Sequence, residues 1–213
     1  MDGSGRLDQP RTDGVGAMPA EVDGGTRADP PRTAGWGAMA AGTALALGMM
    51  IWRFGLSPEL PAYGYLAAAG AALAVIDARE RRLSDRLTLP SYPVALALLG
   101  LAAVLLPGGG RQFADALAGL GIALALFLVQ AIIYPAGLGW GDVKLAGILG
   151  LYLGWLGLAE VAAGLFLGYL LAAVAGLGLI AAGRASRKTQ LPFGPFLLAG
   201  TLAVIMLSGL ARG

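Results

Sequence analysis

Between Ala34 and Leu210 the sequence is a succession of long apolar runs separated by short polar or glycine-rich breaks. The runs cover about Ala34–Trp52, Ala62–Ile76, Leu89 or Pro90 to Leu106, Leu117–Tyr134, Val143–Trp155, Glu160–Ala182 and Pro195–Leu210. Several are long enough to cross about 30 Å of hydrocarbon. A chain in lipid must satisfy its own backbone hydrogen bonds, and helices do so within one segment. The expected fold is therefore all-α, a polytopic transmembrane bundle of about seven helices over residues 34–213.

Composition supports this and narrows the chemistry. Hydrophobic residues make up 57% of the chain and charged residues 13%, against about 25% charged in a soluble domain. The net charge is +2, which gives no case for nucleic acid. Cysteine and histidine are both absent. That removes disulfides, thiolate nucleophiles, Cys/His zinc sites and a histidine base. No metal or other cofactor is expected, and acid–base chemistry falls to carboxylates, Lys or Tyr.

Residues 1–33 read differently. They are rich in Gly, Asp, Arg and Pro and hold no apolar run. Such a segment cannot bury enough surface to fold alone, so a disordered tail is expected. It does not have the pattern of a secretory signal. Basic residues set the orientation. Of 15 Lys and Arg, only Arg53, Arg111 and Arg212 fall outside when the Arg79–Arg86 loop is placed in the cytoplasm. The N-terminus is then cytoplasmic. Asp77 and Asp142 lie at the cytoplasmic ends of their runs, an even number of crossings apart.

These two acids are the candidate site. Asp77 closes the second run. Asp142 opens the fifth, inside Gly139-Trp140-Gly141-Asp142-Val143-Lys144. An ionisable group at the edge of a membrane helix is costly, and so marks a functional site. The glycines at 139 and 141 permit close backbone approach or φ > 0. Lys144 lies near enough in sequence to support a charge on Asp142, or to anchor at headgroups. Two carboxyls in a desolvated place share one proton, giving one base and one proton donor. Hydrolysis by direct attack of water needs those two roles. Asp142 opens a helix, where negative charge is favoured, and is expected to be the base. Asp77 closes one and is expected to be the donor. Taken singly, either Asp is more simply a helix cap or interfacial charge, and the arginine cluster a topology signal. Trp140 and Tyr134 read as interfacial aromatics. Gly150 and Gly154, with Gly164 and Gly168, are small-xxx-small pairs expected to pack the fifth and sixth runs together.

At these residues the chain resembles type IV prepilin peptidases. Val75-Ile76-Asp77, with Arg81-Arg82-Leu83-Ser84-Asp85-Arg86 after it, is similar to that family's first catalytic segment. Gly139–Leu145 is similar to the second, and Pro192-Phe193-Gly194-Pro195-Phe196 to a late segment. The resemblance covers about Ala62–Leu210. Presenilin-type proteases also carry Gly-x-Gly-Asp but pair it with Tyr-Asp, whereas Ile76 precedes Asp77 here. The resemblance implies a membrane aspartic endopeptidase. It would cut the basic leader from prepilins or pilin-like proteins at the cytoplasmic face of the cell membrane, with Asp77 and Asp142 catalytic. The sequence departs from the family at Ser84, where many members have proline. It also lacks the cysteine-bearing insert of the bifunctional members, so methyltransferase activity is not expected. It is more similar to short, peptidase-only members. Two other classes compete: a catalytically silent membrane scaffold of a pilus or secretion assembly, and a small transporter using the Asp pair as a proton relay. The relay reading would call for internal repeats and midplane acids, and neither is seen. The sequence leaves the oligomeric state open.

Overall fold

Each apolar run folds as one helix because lipid offers backbone N–H and C=O groups no alternative partner. The computed structural model describes residues 33–80, 85–134, 138–184 and 192–210. They form seven helices: α1 (Thr33–Phe54), α2 (Leu60–Glu80), α3 (Asp85–Leu105), α4 (Gly109–Ile133), α5 (Trp140–Leu156), α6 (Leu158–Ala181) and α7 (Gly194–Leu210). Among the described residues there is no strand. The tail expected over 1–33 lies outside them, but for Thr33. So do residues 81–84, 185–191 and Arg212.

Four helices are long and apolar enough to cross a membrane, at Leu60–Asp77, Leu87–Leu105, Gly109–Ile133 and Leu158–Ala181. The chain is thus a multi-pass membrane protein. Of the other three, α5 is the informative one. Val143 and every residue from Leu145 to Leu156 are buried. A helix that is apolar all round belongs inside a bundle rather than on its rim. α5 is the core helix, packed against α3, α4, α6 and α7, and it needs no lipid-facing length of its own.

Three boundaries differ from the sequence expectation. α2 continues through Asp77 to Glu80, so Asp77 sits in a formed helical turn. α3 starts at Asp85 and holds Pro90 and Pro93 inside it. Membrane helices tolerate proline because neighbouring groups re-satisfy the backbone. Ser91, between the two prolines, donates its hydroxyl to the Leu87 carbonyl at 2.7 Å. α4 starts at Gly109, and its first turn holds no acid. Asp115 is therefore in the second turn. The start is fixed by Gly108, whose φ of 76° suits glycine. A Cβ at Gly109 would stand 2.4 Å from the Ala103 carbonyl oxygen.

The glycine pairs are used between the expected helices and also beyond them: a Cβ at Gly164 of α6 would lie 2.6 Å from Leu153 Cδ1 on α5. A Cβ at Gly119 of α4 would lie 2.4 Å from the Gly150 carbonyl oxygen and 2.8 Å from Gly154 Cα on α5. A Cβ at Gly200 of α7 would lie 2.4 Å from the backbone nitrogen of Gly168 and 2.8 Å from the Gly164 carbonyl oxygen on α6. The close backbone crossings are thus α4 with α5 and α6 with α7. α5 and α6 are also joined by the single residue Gly157, at φ 149°.

This crossing yields a prediction. Gly119→Val forces α4 off α5 and should cost about 2 kcal/mol or more, as overpacking does. Gly121→Val on the same helix meets nothing within 4 Å and should leave thermal unfolding in detergent nearly unchanged. Equal melting temperatures for the two variants would contradict the crossing.

The end of the bundle away from Asp142 is held by polar contacts. Tyr63 donates its hydroxyl to the Tyr152 carbonyl at 2.8 Å, and Trp155 Nε1 donates to Glu59 Oε1 at 2.8 Å. Arg53 Nε donates to the Ile205 carbonyl at 3.2 Å. α1, α2, α5 and α7 are thereby pinned together. The Asp-bearing ends of α2 and α5 meet at the opposite end.

Candidate active site

Asp77 is 4% exposed in the final turn of α2. A carboxylate so placed needs hydrogen-bond donors. Among the described residues it has one: the backbone N–H of Gly194 donates to Asp77 Oδ2 at 3.1 Å, across 117 residues. The sequence explains why this N–H is available. Gly194 is the first residue of α7, where N–H groups have no partner within the helix. Pro195 follows and carries no N–H. A helix N-terminus is a natural anion seat, and α7 presents its own to Asp77. A Cβ at position 194 would stand 2.7 Å from Asp77 Oδ2 and 3.4 Å from its Cγ. Only glycine leaves the carboxylate where it is.

Asp142 lies in the first turn of α5, after Gly139 as N-cap. The Gly139 backbone has φ −75° and ψ 146°, and neither Gly139 nor Gly141 takes a positive φ. The expected left-handed turn is absent. Gly139 instead provides room: a Cβ there would lie 3.4 Å from Asp142 Oδ2. Gly141 occupies the first helical turn and is half-buried. Asp142 precedes the apolar run that starts at Val143. Burial, and next the charge on Asp77, push its carboxyl up to about 6, against a hydrogen bond from the Gly139 backbone N–H.

The two acids are brought to one place. The charge of Asp77 acts on Asp142. Leu145, one turn after Asp142, has its Cδ2 3.5 Å from the Cβ position of Gly194, and Gly194 bonds Asp77. The start of α5, the start of α7 and the end of α2 therefore surround a single point. Lys144 follows Asp142 by two positions near the start of α5. The Lys144 carbonyl accepts the Tyr92 hydroxyl at 2.7 Å, which ties α3 to α5 beside the site. Gly147 admits Tyr92, since a Cβ there would clash with that hydroxyl.

Sequence reasoning missed a further layer. Phe193, just before Gly194, packs its ring 4.9 Å from that of Tyr169 and 6.4 Å from that of Phe127. Tyr169 donates its hydroxyl to Gln130 Oε1 and lies within reach of the Asp142 charge. These residues wall the approach to α7. The signal was the Pro-Phe-Gly-Pro segment, which carried no residue-level role in the sequence. Among the described residues no cluster of three or more acids, His or Cys could hold a metal ion.

A buried carboxyl pair can do one kind of chemistry well. With one proton between them, one member accepts a proton while the other donates. The expected order was Asp142 ionised and Asp77 protonated, argued from helix ends. To that argument the Gly194 N–H adds a second helix N-terminus, that of α7, beside Asp77.

Comparison with known proteins locates the same region. Residues 64–207 match the type IV leader peptidase family. A prepilin leader peptidase/N-methyltransferase of Burkholderia pseudomallei (strain 1026b) is 41% identical over 172 residues, covering 78% of this chain and 52% of the relative. Relatives of the same name from Aeromonas salmonicida (strain A449) and Pseudomonas aeruginosa are 37% and 32% identical. Those matches cover 71% and 76% of this chain, and 53% and 55% of the relatives. The chain spans about half the length of the curated relatives it matches. No solved structure matches the chain.

Proposed function

We propose, from the premise that the chain belongs to the type IV leader peptidase family, that it is an aspartic endopeptidase acting on prepilins or pilin-like proteins. It removes their basic leader at the cytoplasmic face of the cell membrane, with its own N-terminus cytoplasmic. The observation that carries this reading is the meeting of Asp77 and Asp142 at one end of the bundle, each beside a helix N-terminus.

The chemistry uses this chain's own groups. Asp77, its charge held by the Gly194 N–H, takes a proton from water. The water oxygen attacks the carbonyl carbon of the leader peptide bond. Asp142 donates its proton toward the carbonyl oxygen. When the tetrahedral intermediate collapses, the C–N bond breaks, the new amine takes the proton from Asp77, and Asp142 recovers its own. Each acid changes state once and returns. Methyl transfer is not part of this proposal. The family resemblance ties that activity to cysteines, and the chain has none.

The roles set the pH dependence. Asp142 must be protonated to donate, so cleavage falls as pH rises through about 6, where its proton is lost. Asp77 must be ionised, so cleavage also falls in stronger acid. A bell-shaped kcat/KM profile follows, with Asp142 on the alkaline limb. If Asp142 were the base, the limb near pH 6 would be the acidic one. A profile rising through pH 6 would therefore exchange the roles.

The direct test incubates membranes containing the chain with a reporter that carries a short basic leader, a glycine and an apolar helix. Cleavage at the leader junction is the expected result. An intact reporter under conditions where it is co-inserted would favour the silent scaffold.

A further inference from the structure

Beneath Asp77 the outer surface of the bundle is indented by a groove of about 240 Å³ between α1, α2 and α7. Its α2 wall runs from Leu66 to Val75, roughly 14 Å of helix. The upper end is fixed by two neighbours of the candidate site. Ala74 and Val75 precede Asp77 by less than a turn, and Pro195 directly follows Gly194. Among the described residues no charged side chain lines the groove. Its walls are largely small residues, among them Gly42, Ala67, Gly70, Ala71, Ala74 and Ala199.

We infer that this groove seats the apolar helix of the substrate, holding the first two or three turns after the bond that is cut. The inference rests on the peptidase reading and specifies where its substrate lies. Small residues at a helix surface let another helix come close in lipid, where van der Waals packing drives association. On α4 and α6, Leu126, Ile132, Phe166 and Leu177 project as exposed large side chains among exposed small ones such as Ala118, Ala162 and Gly178. The groove is too small to enclose a helix and suits one ridge of its side chains. Its depth below Asp77 then sets which peptide bond reaches the acid pair. A bond one helical turn further along would be drawn away from Asp77.

The natural absence of cysteine makes the test clean. Ala71→Cys and Ala199→Cys are placed separately in the full chain carrying Asp142→Asn, with Phe166→Cys on the α6 face as control. The probe is the leader reporter with single cysteines along its apolar helix. Disulfide cross-linking is expected at 71 and 199, confined to the first roughly ten residues after the junction, and absent at 166. With active enzyme, Ala71→Trp should raise KM at least tenfold with little change in kcat, the mark of lost ground-state binding. Leu177→Trp should change neither. Cross-links equal at 166, or reporter cleavage by the parent chain with no cross-link at 71 or 199, would overturn the groove. So would enzyme–enzyme disulfides in place of enzyme–reporter ones. Cross-links at 71 and 199 beside a parent chain that never cuts the reporter would keep the groove and end the peptidase reading instead.

Discussion

Asp77→Asn and Asp142→Asn each leave the bundle folded and reduce leader cleavage by about a thousandfold or more. The size follows from what each acid does. General acid–base catalysis by a placed group contributes about 10²- to 10⁴-fold, and here each acid depends on the other's charge state. Asn at 77 can still accept the Gly194 N–H through its amide oxygen, so the α2–α7 contact survives and the melting temperature should hold. It can no longer take a proton from water. Asn at 142 cannot pass a proton to a carbonyl oxygen. Groups that act as a unit are not additive, so the double variant should be little worse than either single one. The measurement is reporter processing by each variant beside its thermal unfolding. Undiminished processing by either Asn variant would remove that residue from the chemistry.

Gly194→Ala carries the second large effect. A methyl group at this position would stand 2.7 Å from Asp77 Oδ2, and the N–H bond at 3.1 Å would be disturbed by any shift that relieves the contact. Misplacing a reacting group by about 1 Å costs on the order of a hundredfold, and that loss in kcat is expected here. A helix would ordinarily welcome the change, since alanine is the better helix former by about 1 kcal/mol. Gly178→Ala on α6, where nothing lies within 4 Å, should behave in that ordinary way and retain activity. Loss of cleavage at 194 without a matching loss of stability separates positioning of Asp77 from support of the fold. A Gly194→Ala enzyme with parental kcat would show that the N–H does not hold the acid in place.

The helices and the two acids were legible in the sequence because each leaves a local mark. A run of apolar residues spells a helix in lipid, and a lone carboxyl at its edge stands out against such a background. The edges of α3 and α4 were less legible. Pro90 and Pro93 argue for a later start in water, where a proline leaves a carbonyl unpaired, but a bundle in lipid supplies other partners. The partners of Gly150, Gly154, Gly164 and Gly168 were legible only in part: Gly164 does meet Leu153 of α5, but the crossings with α4 and α7 were not foreseen. Where both core and solvent are apolar, composition does not say which face of a helix is inside. Their spacing announced close crossings but not every helix that takes part in them. The Gly194–Asp77 bond was hidden for a related reason. It joins a backbone group to a side chain across 117 residues, and no local pattern encodes such a pair.

The enclosure of α5 separates Asp142 from the bilayer. α4 and α6 meet the acyl chains and must tilt or shift when the host membrane is thicker or thinner. The helix bearing Asp142 is wrapped on its sides by protein. The setting of Asp142 should therefore hold nearly constant across vesicles whose acyl chains differ by a few carbons, while α2, which carries Asp77 and is itself long enough to cross the membrane, follows the bilayer. Any change of cleavage with membrane thickness then reports on the Asp77 side of the pair.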